Sequence, residues 1–234
     1  MVKKYISLLI YLLLFSNLSA QGNLTDLDYK IFRLGFSLGT NFMDLKIEHT
    51  ELEQNGKIYY ADVPTLIPGF SVGLITDLRL HRYFNLRCTP SLLLGERNIH
   101  FKTFDVNTKT FQDDKTVNLF SLPIDIPVYI RYSAERYGNF KPYVQIGTGV
   151  LFDLGRDEQT DITQKLSDLY FGVGVGCDLY FKFFKLSPEL KLNVGQFNVL
   201  SPKKPTPENA ASLVYTNSIS KILSRILVFS FNIE

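Results

Sequence analysis

The chain lacks most of what catalytic or metal-binding chemistry uses. Its 234 residues hold three histidines, two cysteines and no tryptophan. His49, His81 and His100 have no acidic or thiol neighbours at metal-ligand spacing, so no zinc site is expected. No G-x-S-x-G, H-E-x-x-H, C-x-x-C or phosphate-binding loop occurs. Gly172-Val-Gly-Val-Gly176 has a passing likeness to a nucleotide fingerprint, but its glycines recur every second residue instead of opening a helix. The nearest approach to a lipid-cleaving or acylating pair is His100 with Ser91, or His81 with Asp77, and the spacing gives neither a working geometry. The expectation is a protein that is not an enzyme and carries no metal or cofactor.

A long hydrophobic run is also missing. The longest apolar stretch, Tyr5 to Phe15, has eleven residues, and a helix needs roughly 20 to cross hydrocarbon. With Lys3 and Lys4 before it and Ser19-Ala20 after it, the stretch reads as a secretory signal, cleaved after Ala20 although Leu18 sits where a small residue is preferred. No cysteine follows it closely, which argues against a lipoprotein. The expected organisation is a signal peptide at 1–20 and one domain at 21–234, with no linker to divide it.

Net charge is nearly absent as well. Without Lys3 and Lys4 the remaining Lys and Arg number 23, against 23 Asp and Glu, so nothing points to nucleic acid or an acidic substrate. Cys88 and Cys177 fall in mid-strand on faces otherwise filled by Leu, Val and Phe, on the third and sixth of the strands described next. That is too far apart for the roughly 4.4–6.8 Å Cα spacing of a disulfide, so both are expected as free thiols.

What the chain has in abundance is alternation of period two. Phe32, Leu34, Phe36 and Leu38 alternate with Arg33, Gly35, Ser37 and Gly39. The scheme recurs near 70–80, 86–95, 122–131, 144–153, 169–181, 186–194 and 222–233, weakest in the fourth strand, where Pro123 and Pro127 interrupt it. A soluble sandwich would hide its large residues and would not need glycine on the opposite face of so many strands. The reading is an all-β, transmembrane antiparallel up-and-down barrel of about eight strands in the outer membrane, its apolar face toward lipid. Inside, Asp77, Arg79, Arg87, Asp125, Arg131, Glu189 and Lys191 are expected to form a paired polar network that plugs a narrow lumen.

Connection lengths fit this reading, because such barrels alternate short periplasmic turns with long extracellular loops. Residues 43–67, 99–117, 155–167 and 196–218 read as long loops; 81–83, 133–139 and 182–183 read as short turns. Both termini then lie in the periplasm. Phe32, Tyr83, Phe84, Tyr132, Tyr143, Tyr180, Phe181 and Phe183 stand near strand ends, where rings favour the membrane interface. Two residues fit poorly: Arg225 has the parity of the lipid face, calling for a register shift or bulge to turn it inward, and the chain ends on Glu234 instead of an aromatic.

Several ordered pieces carry a likeness to a known family. They are Phe36-Ser-Leu-Gly-Thr-Asn-Phe-Met-Asp44, Pro68-Gly-Phe70, Asp77-Leu-Arg-Leu80, Phe84-Asn-Leu-Arg87, Pro90-Ser-Leu92, Gly95-Glu-Arg97, Asp168 to Gly176, Phe184 to Lys191, Tyr215-Thr-Asn-Ser-Ile219 and Phe229-Ser-Phe231. In this order they resemble the PorT family of outer-membrane barrels of the type IX secretion and gliding system. The resemblance implies an accessory or assembly role in exporting secreted hydrolases and surface adhesins, beside a larger translocon barrel. It implies partners among outer-membrane lipid and other secretion components, and no catalytic residues. The competing expectation is a small porin-like or adhesive barrel that binds a ligand through outer loops such as Lys203-Lys204-Pro205-Thr206-Pro207.

Overall fold

The computed structural model describes residues 24–50, 57–63, 66–106, 108, 110–155, 163–201 and 218–234. The expected signal peptide and the Lys203–Pro207 stretch lie outside them, as does most of the 155–167 and 196–218 loops. A single 3-10 turn, Thr25–Tyr29, precedes the strands β1 (Phe32–His49), β2 (Lys57–Asp62), β3 (Pro68–Arg79), β4 (Phe84–Cys88), β5 (Ser91–Asp105), β6 (Thr110–Ser121) and β7 (Pro123–Ser133). There follow β8 (Phe140–Asp153), β9 (Thr163–Gln164), β10 (Ser167–Tyr180), β11 (Lys185–Gly195), β12 (Leu200–Ser201) and β13 (Ile219–Ile233).

Neighbouring strands pair antiparallel, and β13 returns to β1, so the sheet closes. The ring has eight staves: β1, β3, the broken stave β4–β5, β7 with its extension β6, β8, β10, β11 and β13. The break in the third stave has a proline cause. Register runs unchanged from Cys88↔Val128 to Ser91↔Asp125, but between them Pro90 and Pro127 have no N–H to give the ladder. The fourth stave thus holds Pro127 at the gap in the ladder, while Pro123 begins β7 at its join with β6.

Two of the expected loops are strands. Residues 43–67 contain the second half of β1 and all of β2, and residues 99–117 contain the upper part of β5 and most of β6. β2 pairs with β5 from Lys57↔Asp105 to Asp62↔His100, and β6 pairs with β5 from Gly95↔Ser121 upward. Their polarity pattern differs from that of the lower wall, which hid them from a search for apolar outward faces.

One parity governs each stave through the lower wall, and the upper ladders shift register at Glu48/His49 and at Phe101/Lys102. On β1, Arg33, Ser37 and Asn41 point inward, as do Met43 and Leu45 farther along. Phe36 and Leu38 point outward, and Lys46 and Glu48 lie exposed on the same side. The upper inward residues Leu45, Ile99, Phe101, Val117, Leu119 and Ile222 form an apolar core together with Ala61, Val199 and Ile219. A second apolar layer of Met43, Leu93, Leu151, Tyr170, Ile226 and Val228 lies next to it.

The Arg225 misfit resolves here without a change of register. Arg225 is exposed on the outward face and lies opposite Asp44 in the β1–β13 ladder, whose irregularity comes only at Glu48/His49. Twelve residues from Phe32 to Asp44 span about 40 Å of strand, or about 30 Å along the normal at the tilt usual in such barrels. That exceeds the roughly 25 Å outward apolar band, so Arg225 stands beyond it. Both cysteines are free and half-buried, on β4 and β10, which are not neighbours in the ring.

Candidate functional site

The lower lumen is filled by ions and tyrosines. Asp77 of β3 accepts from Arg33 Nη2 at 2.5 Å, Asn85 Nδ2 at 2.6 Å and Arg87 Nε at 2.9 Å. Glu234, the last residue, takes Lys185 Nζ at 2.8 Å, Arg33 Nε at 3.3 Å and the Arg87 guanidinium. Asp178 binds the Arg131 guanidinium and accepts from Ser187 Oγ at 2.5 Å. Glu189 accepts from Tyr143 Oη at 2.8 Å and pairs with Lys191 Nζ at 3.1 Å. Arg131 lies 3.4 Å over the Tyr143 ring. Buried charges are tolerated only when paired and hydrogen-bonded, and here each carboxylate has such partners.

Glycine makes the room for the tyrosines. A Cβ on Gly176 would sit 2.5 Å from the Tyr143 hydroxyl, and one on Gly149 would sit 2.5 Å from Tyr170 Cζ. Small positions on β8 and β10 thus receive the ring of the residue paired with them on the neighbouring strand, Tyr143 over Gly176 and Tyr170 over Gly149.

Of the residues expected in the network, Asp77, Arg87, Arg131, Glu189 and Lys191 lie together in this cluster. Asp125 is buried too but makes no direct ion pair among the described residues; it accepts from Tyr170 Oη at 2.7 Å, with Lys191 as its cationic neighbour. Arg79 is not in the network. At the end of β3 it has left the enclosed wall, is half-exposed, and stacks on Tyr29 at 5.5 Å.

Four participants were missed: Arg33, Asp178, Lys185 and Glu234. Arg33 and Asp178 were legible as polar-parity residues of their strands. Glu234 continues the inward parity of Ser230 and Asn232, so the terminal residue that fitted poorly serves as an interior ligand for three cations.

At the turn end the 3-10 turn folds under the mouth. Asp28 accepts from Tyr180 Oη at 2.6 Å, Lys141 Nζ at 3.2 Å and Arg136 Nη1 at 3.4 Å. Burial alone would raise its carboxyl, but the Tyr180 hydroxyl and the two cations outweigh that and hold it below the ordinary carboxylate range. Tyr143 and Tyr180 are therefore interior residues, contrary to the interface placement expected of them, because their hydroxyls have acidic partners inside. The outward rings at this level are Phe84 against Tyr132 at 5.2 Å, Tyr83 against Tyr132 at 6.3 Å and Phe181 against Phe184 at 4.9 Å.

A closed antiparallel ring with an outward apolar band, an ionic lumen and a rim of rings is the geometry of a lipid-embedded barrel. Residues 19–208 match the outer membrane protein beta-barrel domain family. The chain belongs to that family. This outer-membrane barrel also resembles solved structures. Neisserial surface protein A has 9% identity and a TM-score of 0.46, with 87% of this chain and 98% of that one covered. OprG from Pseudomonas aeruginosa has 11% identity and a TM-score of 0.42, covering 86% and 92%. Ail of Yersinia pestis, solved with the heparin analogue sucrose octasulfate, has 8% identity and a TM-score of 0.38, covering 86% and 96%. No curated protein matches the sequence.

The barrel is thus a protein of the outer membrane, its short turns and both strand termini on the periplasmic side and its long staves rising outside. Arg87, Arg131, Tyr129, Tyr170 and Lys185 are fully buried in the lumen, which leaves the interior occupied at the ionic level and again at the apolar layers above. Such an interior is a structural plug, as small barrels tend to have.

Proposed function

We propose that this barrel is a component or assembly factor of the type IX secretion system, needed for export of secreted hydrolases and surface adhesins. The observation that carries the reading is the ordered set of sequence pieces resembling the PorT family, from Phe36–Asp44 to Phe229–Phe231. The filled lumen supports an accessory role, since a folded cargo needs a far wider path. On this reading the protein does no chemistry; it contacts outer-membrane lipid and other secretion components. Residues 1–20 are its export signal.

Deleting the gene and comparing culture supernatant with periplasm for proteins bearing the system's C-terminal targeting domain tests this. Cargo stranded in the periplasm and released by the wild-type copy is the expected outcome; unchanged secretion would overturn it. A second reading is an adhesive barrel that binds a ligand outside the cell. It is favoured by the structured collar of β2, β5 and β6, which carries Phe111 and Phe120 exposed. Loss of surface attachment with intact secretion would select it.

A further inference from the structure

Arg79 was left over from the interior network, and its surroundings give it a use. It borders a cavity of about 590 Å³ at the periplasmic mouth, between the 3-10 turn and the turns after β3 and β7. That size is within the usual range for small-ligand sites. Arg79, Arg82, Arg136 and Lys141 line it, against Asp28 and Glu135 alone. One carboxylate, Asp28, is shared by Arg136 and Lys141. The other, Glu135, takes Arg82 at 3.0 Å and the Tyr83 hydroxyl at 2.8 Å. Arg79 meets no carboxylate among the described residues and has only the Tyr29 ring. The cavity therefore holds two more cations than carboxylates.

Its height in the membrane identifies the ligand. Arg82 and Tyr83 adjoin the outward rings of Phe84 and Tyr132, which mark the inner headgroup level. Above them the outward residues Leu78 and Ile130, with Leu80 level with Phe84, are exposed and apolar, a surface suited to acyl chains. Planar guanidinium groups suit phosphate oxygens in two-point contact. We propose that this cavity binds the phosphate of an anionic phospholipid of the inner leaflet, with Arg79 and Arg82 as its principal donors.

The test is native mass spectrometry of the purified barrel released from micelles containing phosphatidylglycerol or phosphatidylcholine, for wild type, Arg82→Gln and Arg79→Gln/Arg82→Gln. Heat-modifiable migration on gels checks that each variant is folded, and exposed Arg82 alone keeps the test open should the double variant fail to fold. The expected result is selective retention of phosphatidylglycerol, falling about fivefold for each cation removed. Equal retention of the two lipids, or undiminished phosphatidylglycerol on the folded double variant, would overturn the proposal. Competition with inorganic phosphate separates the sources: displacement at millimolar concentration assigns the site to phosphate from any source, and resistance assigns it to the intact lipid. Displacement by hexaglutamate at lower concentration than phosphate would overturn the proposal in favour of an acidic periplasmic peptide.

Discussion

The two halves of this barrel are built on one backbone pattern with opposite polarity. On the periplasmic side of the Asp44↔Arg225 row, Arg33, Asp77, Arg87, Asp178 and Glu234 point inward while Phe36, Val72, Ile146 and Val173 point outward. On the extracellular side, Leu45, Ile99, Phe101 and Ile222 point inward while Lys46 and Glu48 are exposed outside. β1 crosses from one regime to the other without slipping register between Phe36 and Glu48. Strand geometry fixes which residues share a face; the medium outside decides which face is apolar. In lipid the lumen is the only place for charge, whereas in water the lumen becomes the core.

The lower half depends on close approach of neighbouring strands around a crowded lumen, and breaking that has the largest expected effect. A Cβ on Gly147 would meet Tyr129 Cα at 2.7 Å and the Val128 carbonyl oxygen closer still, both backbone atoms that cannot yield. Gly147→Leu should abolish folding, read as loss of heat-modifiable migration. Gly95, near the upper core, faces the flexible Met43 side chain at 2.8 Å, so Gly95→Ala should keep that migration. Equal behaviour of the two would contradict the difference in packing.

Next in size are substitutions at the two interiors. Arg87→Met leaves Asp77 and Glu234 short of a buried partner and should cost about 3–5 kcal/mol in urea unfolding from lipid. Adding Glu234→Gln should recover part of that loss, a non-additivity expected only inside a shared ionic network. Phe101→Ala should cost about 3–5 kcal/mol by leaving a cavity, and should add independently to either charge substitution. Additivity across all three would show that the lower interior is not held by coupled charges.

The outer faces offer a direct comparison of media. Ile146→Arg, mid-strand in the apolar band, should cost about 2–4 kcal/mol. Thr116→Arg on exposed β6 should change stability by less than about 0.5 kcal/mol. A similar cost at both sites would place the collar in lipid and remove the basis for the reversal.

The lower half was legible in the sequence because its pattern has one explanation. Large apolar residues alternating with Gly, Ser and paired charge fit a narrow wall facing lipid, and the outward parity read from Phe32–Leu38, Val144–Phe152 and Leu169–Phe181 is the parity observed. The upper half was read as loop, since Asp44, Lys46 and Glu48 break the apolar face although the alternation itself continues through Met43, Leu45 and Ile47. Searching for alternation of either polarity would have found the rest of β1, whereas β2 (KIYYAD) and the Gln112–Thr116 stretch of β6 carry no alternation to find. Tyr143 and Tyr180 were misplaced for a related reason: a ring near a strand end satisfies the interface pattern whether it points to lipid or to a buried carboxylate. Their own parity, shared with Gln145 and Asp178, carried the answer. Arg79 shows the converse. Its parity is inward, but the wall ends there, and only the position of the 3-10 turn reveals that it faces a cavity instead of the network.

The smallest effect concerns the junction that closes the lower half, where Asp28 ties the 3-10 turn to Tyr180, Lys141 and Arg136. Its carboxyl lies below the ordinary range in the folded protein. The stabilisation is therefore complete above the pKa of an unfolded aspartate and fades as pH falls through the folded value. For a carboxylate that stays partly open to water at the mouth the contribution is about 1 kcal/mol. Amide exchange over residues 24–31, corrected for intrinsic rates, should be faster in Asp28→Asn than in wild type at pH 6, with the global unfolding midpoint nearly unchanged. As acidification carries the pH through the folded value the two proteins should draw together, because wild type then loses the same charge. A gap that persisted or widened on acidification would mean that the mouth is closed by packing of the turn and not by this carboxylate.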